Sequence, residues 1–260
     1  MMGALYSAAS GMKAQQLNTD VTSNNISNVN TTGYKKTRAE FQDLFYRTAA
    51  EAGVPVAGGT ATPVGTQVGS GVRSVAITRV FAQGDFTHTD NPLDMTVEGE
   101  GFFRIQMPDG NIGYTRDGNF KVDRNGLLLN AEGLPLVPNI NIPQAITRPN
   151  VSFEGLVTGN LNGQQVTIGQ ITLARFINPA GLGTRGHNLL IQTDASGEPI
   201  EGSPGTEGLG NVLQGFLESS NVRLVDEMVN LIVAQRAYEA NSKAIQTSDE
   251  MLAMANTLKR

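Results

Sequence analysis

From Val222 to Arg260 the chain runs 39 residues without a glycine or a proline. Along that stretch Leu224, Met228, Leu231, Gln235, Tyr238, Ser242, Ile245, Asp249 and Leu252 recur at alternating steps of four and three. That spacing keeps one stripe of a helix facing a partner for about five heptads. Asp226 and Glu227 stand in the first turn and Lys259-Arg260 at the end, where the helix dipole favours each sign. Such a helix is about 55 Å long at 1.5 Å per residue, longer than a small domain is wide. Any fold for this chain must therefore give the helix something to pack on. Core packing within the chain is one solution. The length and terminal position favour helices of other chains.

The opening segment reads as a second helix. Leu5, Ala8, Met12, Ala14, Leu17 and Val21 make a narrow stripe of small and medium residues, suited to close helix–helix contact. Asn24-Asn25-Ile26-Ser27-Asn28-Val29-Asn30-Thr31-Thr32-Gly33 should end it. Asparagine and threonine disfavour helix interiors, and Gly33 can take a left-handed cap. The amides could be a solvated helix end or could hydrogen-bond between chains. Helical texture continues to about Ala50, with Phe41 and Phe45 at i and i+4 as one apolar face of a short helix. Gly53 to Gly65, with Pro55 and Pro63, has no helical period and too many breakers for a strand core, and reads as an extended arm.

Residues 72–221 have a different texture. Asp109-Gly110, Asp117-Gly118 and Asn125-Gly126 each lie between alternating apolar positions, a strong hairpin signal. Gln165 to Leu173 repeats the period of two. The expected fold class is α+β: long N- and C-terminal helices forming a coiled-coil-like inner domain, plus an all-β outer body. The expected domains are 1–34 with 222–260 (helical), 35–71 (connecting helix and arm) and 72–221 (β-rich).

Reactive chemistry is sparse. There is no cysteine, and His88 and His187 are the two histidines, so no thiol nucleophile and no Cys- or His-rich metal centre is expected. No nucleophile elbow, phosphate loop or dinucleotide fingerprint occurs. Glu98 and Glu100 share a strand face and read as edge-protecting charges rather than a catalytic pair. The expectation is no enzyme, no catalytic residue, no metal and no cofactor. Net charge is −5, and residues 72–221 carry −6 while the two ends are near neutral. No basic patch with interleaved aromatics exists, so nucleic acid is a poor partner. No 18-residue apolar run exists, so no membrane insertion is expected. The first ten residues lack a basic n-region and a long apolar stretch, so a cleaved signal peptide is not expected.

Three motifs then point to a family. Asn24 to Lys35, containing Asn24, Asn25, Asn28, Thr32, Gly33 and Tyr34, resembles the N-terminal signature of flagellar basal-body rod and hook proteins. Leu93-Asp94-Met95-Thr96-Val97-Glu98-Gly99-Glu100-Gly101-Phe102-Phe103, followed by Tyr114 to Phe120 with Asp117 and Gly118, resembles the core signature of the same family. Ser220-Asn221-Val222, Glu227-Met228-Val229 and Ala234 to Lys243 are similar to its C-terminal signature. The length and the arm after Tyr46 most resemble the distal-rod members.

The resemblance implies a structural subunit that self-assembles into a hollow helical drive shaft, carrying torque from rotor to hook through the periplasm and outer membrane. It implies an inner layer in which Leu5, Met12, Leu17, Val21, Leu224, Met228, Leu231, Tyr238, Ile245 and Leu252 pack between subunits. It implies an arm bounded by Tyr46, Pro55, Pro63 and Gly71 that stiffens the shaft, and Phe41 and Phe45 as an export motif. The implied partners are further copies of the chain, proximal rod proteins, the hook protein, the peptidoglycan-layer and outer-membrane ring proteins, and the flagellar export apparatus. The implied location is the flagellar basal body, reached without signal cleavage. A hook or proximal-rod role in the same family, or a soluble glycan-binding β module, are the alternatives. Rotation inside rings further suggests that Asp85, Asp90, Glu132, Glu154, Glu198, Glu201 and Glu207 are exposed.

Overall fold

The computed structural model describes residues 2–51, 64–146, 149–161 and 164–257. It is α+β, with an N-terminal helix α1 (Met2–Ser27), a C-terminal helix α2 (Leu224–Thr257) and a β-rich body. The chain divides into two compact units. One combines residues 1–26, 37–78 and 223–260; the other combines 27–36 and 79–222.

In the first unit, α2 forms for the reasons its sequence gives: no breaker for 34 residues and two carboxylates in the first turn. The helix α1 stops at Ser27, followed by turns in which the Thr31 N–H donates to the Asn28 carbonyl at 3.2 Å. The expected helical stretch to about Ala50 is not found. Thr37–Asp43 is a strand, paired with Val72–Arg79, and Arg47–Ala50 is a strand paired with Thr66–Val68. A four-residue aromatic spacing fits one helical face, but Thr37, Ala39 and Phe41 also alternate. The pairing that decides between them comes from about 30 residues downstream, beyond the reach of local spacing. Pro55 and Pro63 lie outside the described residues.

The second unit is built on a six-stranded sheet. Its strands lie side by side in the order Gly183–Gly186, Leu189–Ile191, Ile112–Thr115, Phe102–Gln106, Leu173–Arg175 and Ile200–Gly202. Because strand side chains alternate, neighbours in sequence feed opposite faces. Phe103, Ile105 and Leu173 enter a large cluster with Met95, Phe120, Leu136, Ile140 and Ile171. Phe102 and Ala174 enter a smaller one with Tyr114, Phe176, Leu182 and Leu190. Each large side chain so buried contributes about 1.5–3 kcal/mol.

Two of the three expected hairpins form. Asp109-Gly110 joins Phe102–Gln106 to Ile112–Thr115, and Asn125-Gly126 joins Lys121–Val122 to Leu128–Leu129. Asp117-Gly118 is not a hairpin turn, since the strands on either side of it pair elsewhere. Gly118 is instead required by a close approach: a Cβ there would overlap the Met95 carbonyl oxygen, while the Met95 N–H donates to the Gly118 carbonyl at 3.0 Å.

Candidate functional site

Two features carry the family motifs: the helical faces of the first unit and a buried polar node in the second.

Along α2, Glu227, Ala234 and Ser248 are buried, and Asn241 is half-buried between them. These positions repeat every seven residues. Leu231, Ile245 and Leu252 flank them, half-buried, while Leu224, Met228 and Tyr238 are exposed. Burial along α2 thus has a period of seven, but its inward line is one residue away from the expected Met228-Gln235-Ser242-Asp249 line and is polar or small. The reason is what faces it. Gly11 of α1 lies where a Cβ would come within 2.9 Å of the Asn241 amide nitrogen, so the close approach needs glycine. Asn25 of α1 donates from Nδ2 to Glu227 Oε2 at 3.3 Å. These two contacts give α1 and α2 opposed directions. On α1, Val21 is buried while Leu5, Met12 and Leu17 are half-buried. Left outward on α2 are Val225 (71% exposed), Val229, Ile232 and Val233.

Within the asparagine cluster the residues differ in position. Asn24 lies on an exposed part of α1. Asn25 is buried: its Oδ1 accepts from the Thr37 N–H at 2.9 Å, and its Nδ2 donates to the Thr37 carbonyl at 2.8 Å. Asn28 Oδ1 accepts from the Thr31 hydroxyl at 3.2 Å.

The node lies in the β-rich unit. Glu218 is fully buried there and accepts from Lys35 Nζ, from the Gly84 N–H at 2.9 Å and from Arg116 Nη1 at 3.5 Å. Lys35 also donates to the Ala82 carbonyl at 2.9 Å, and Arg116 to the carbonyls of Val97 and Gly99. Gly33, at φ +66, brings its N–H within 2.8 Å of the Glu218 carbonyl; a Cβ at Gly33 would lie 2.6 Å from the Asp117 nitrogen. The Thr32 hydroxyl donates to Asp117 Oδ1 at 2.9 Å, and buried Tyr34 presents its carbonyl to the Asn221 N–H. Asn221 accepts from the Lys36 N–H and donates to the carbonyls of Val80 and Ala82. Asp94 accepts from the Asn91 amide at 2.8 Å, and its carbonyl from the Gly215 N–H. Gly99 and Gly101 have φ of +105 and +140, close to Gly210 and to Leu173 respectively.

The electrostatics follow from burial. Two cations share one carboxylate away from water. Burial pushes the Lys35 ammonium below its ordinary range, against the pull of Glu218, and lowers the Arg116 guanidinium too. Burial raises the Asp117 carboxyl, opposed by the bonds from Asn119 and Thr32. The hydrogen bonds and ion pairs of this arrangement fix segments 32–36, 82–84, 97–99, 116–118 and 218–221 together. No local pattern in the sequence marks Glu218. A lone carboxylate after Phe216-Leu217 in a strand was its only signal.

Other expected site residues stand apart from both features. Tyr46 is exposed at the foot of the Arg47–Ala50 strand. Gly71, at φ +111, leaves no room for a Cβ beside the Ser10 hydroxyl, which accepts from the Val72 N–H at 3.2 Å. Phe41 is partly exposed and Phe45 is 95% exposed. Asp85, Asp90, Glu132, Glu154, Glu198, Glu201 and Glu207 are all exposed in the single chain. Among the described residues no helix is long and apolar enough to cross a membrane.

Three family models match the chain: one described as flagella basal body rod protein over residues 5–35, the flagellar hook protein FlgE/F/G D1 domain over 96–159, and the flagellar basal body rod FlgEFG protein C-terminal over 213–258. Each matched segment supplies part of the node: Gly33 and Lys35 from the first, Arg116 to Gly118 from the second, Glu218 and Asn221 from the third. The flagellar basal-body rod protein FlgG of Borreliella burgdorferi is 51% identical over 264 residues, covering 100% of each chain. That of Caulobacter vibrioides is 47% identical over 261 residues, covering 99% of this chain and 100% of its own. The flagellar hook protein FlgE of Escherichia coli is 24% identical over an alignment of 418 residues. With motifs, node and full-length relatives in agreement, this chain belongs to the flagellar basal-body rod and hook protein family.

Proposed function

We infer that this chain is a structural subunit of the bacterial flagellar distal rod, a self-assembling drive shaft that carries torque from rotor to hook. The rod proteins align over nearly the whole chain at much higher identity than the hook protein, which favours rod over hook. The observation that carries self-assembly is the outward face of α2. Val225, Val229, Ile232 and Val233 lie exposed in the single chain, while the inward line of the same helix is Glu227, Ala234, Asn241 and Ser248. A helix that turns its larger apolar side chains to water buries them in another copy.

In this reading α1 and α2 of successive copies form a coiled-coil-like inner layer around a channel, with 1–34 and 222–260 as the inner domain and 72–221 outside. Residues 35–71 connect the two, and the arm between Tyr46 and Gly71 docks between neighbours and stiffens the shaft. Deleting residues 47–64 should leave a polymer that bends. The acidic outer body suits a shaft turning inside the peptidoglycan-layer and outer-membrane rings. Proximal rod and hook proteins join its ends. The subunit reaches the periplasm through the flagellar export apparatus without signal cleavage, with Phe41 and Phe45 read by the gate while the chain is unfolded.

The deciding experiment is sedimentation velocity of the full chain over a concentration series, beside a Val229→Asp/Val233→Asp variant. The parent should associate as concentration rises. The variant should stay monomeric with an unchanged circular dichroism spectrum. Equal association of the two would remove the apolar face as the assembly surface.

A further inference from the structure

A cleft of about 470 Å³ opens in the β-rich unit, walled by Phe81, Phe102 and Phe176, with Arg116, Arg175 and Glu100 as its charged groups. The rings pack edge to face, Phe81 to Phe102 at 5.5 Å and Phe102 to Phe176 at 6.1 Å, and the Arg116 guanidinium lies over Phe102 at 5.4 Å. At the rim Ile177 is 84% exposed. Arg116 is spent on the node, so Arg175 is the cation a ligand would meet. About a third of its side chain is exposed, and its one ion pair among the described residues, to the well-exposed Glu100, is long at 3.6 Å. Behind Arg116 stand Lys35 and Glu218. Three cations against two carboxylates leave the cleft positive, in a unit whose sequence totals −5. Aromatic walls with an underused guanidinium suit a segment carrying an apolar ring beside a carboxylate.

The chain carries such a segment in its other unit. Phe45 is 95% exposed, and Asp43 is exposed with no ion pair among the described residues. They stand two residues apart, the spacing that puts two side chains on one side of an extended backbone. We propose that the aromatic cleft beside Arg175 receives the Asp43–Phe45 segment of a second copy of this chain. Phe45 enters the cleft against the exposed edges of its aromatic wall, and Asp43 pairs with Arg175 in place of the long contact to Glu100. The proposal rests on the self-assembly reading and gives it a specific lateral contact apart from the helices.

Two measurements on the full chain test it. The first is charge exchange in sedimentation velocity. Asp43→Arg and Arg175→Glu should each weaken association roughly three- to tenfold, and the double variant should return to within about twofold of the parent. The second uses the absence of cysteine. Tyr46→Cys with Ile177→Cys should give a disulfide-linked dimer on oxidation, and neither single variant should give the same heterologous link on peptide mapping. A parent that associates while the charge variants match it, with no disulfide joining position 46 of one chain to position 177 of another, overturns the docking alone. A link formed within one chain overturns it too. A parent that stays monomeric at every concentration overturns the self-assembly reading, and the docking with it.

Discussion

Lys35 and Glu218, 183 residues apart in sequence, form an ion pair in which neither side chain is more than 2% exposed. Arg116 reaches the same carboxylate, so one anion holds two cations out of water. Breaking such a pair from the anion side is costly, because both cations lose their counter-charge while remaining buried. Glu218→Gln should destabilise the chain by about 3–5 kcal/mol in urea unfolding. Lys35→Met in that background should cost much less than it does alone, as expected for coupled partners. Additive effects would mean that the pair is not a working unit.

The Asp117 carboxyl gives a pH signature. Burial raises its folded value above 3.8, so between 3.8 and that value the native state holds more protons than the unfolded one. Its contribution is full below 3.8 and is lost as pH rises through the window. Asp117→Asn keeps an oxygen for the Thr32 hydroxyl and the Asn119 N–H and removes the charge. The stability of this variant relative to the parent should therefore rise from about pH 3.5 upward and then level off. Urea midpoints across that range check it, and a pH-independent difference would contradict it.

Glycines with similar turn chemistry should separate sharply. Gly110, at φ +81, has open space where a Cβ would go, so Gly110→Ala should cost about 1 kcal/mol of backbone strain. Gly118→Ala would drive a methyl into the Met95 carbonyl and should cost more than about 3 kcal/mol or prevent folding. Thermal melts of the two variants side by side provide the comparison.

In the helical unit Asn25 bonds both to the backbone of Thr37 and to Glu227. Asn25→Ala removes these and leaves the Thr37 backbone groups and a buried carboxylate short of partners. A loss of about 1–3 kcal/mol is expected. It should appear as a lower midpoint in the far-ultraviolet helix signal, and an unchanged midpoint would show that water replaces the amide at no cost.

Local features of the fold were legible in the sequence. Asn125-Gly126 and Asp109-Gly110 encode their turns in two residues, and α2 announces itself by a long run without breakers. What depended on distant partners was not. Asp117-Gly118 has the same turn composition, but its glycine answers to Met95, which no local pattern reveals. Phe41 and Phe45 satisfy a helical spacing, yet the strand at Val72–Arg79 claims Phe41 and its neighbours. The sevenfold period of α2 was readable, whereas the polar line that it buries depends on Gly11 and Asn25, about 200 residues or more away. Glu218 was invisible for the same reason. A buried carboxylate makes sense only once Lys35 and Arg116 are beside it.

The two units are completed at different points along the chain. Everything the β-rich unit needs, residues 27–36 and 79–222, precedes α2, whereas the helical unit draws on both the first and the last residues. A chain emerging N-terminus first can complete its sheet, its two apolar clusters and the Glu218 node while α1 still waits for its partner. The bond between Asn25 and Glu227 spans 202 residues and closes only after that. A process that delivers this chain N-terminus first thus supplies the whole of the β-rich unit before the second half of the helical pair, and the apolar face of α2 is the last surface it supplies.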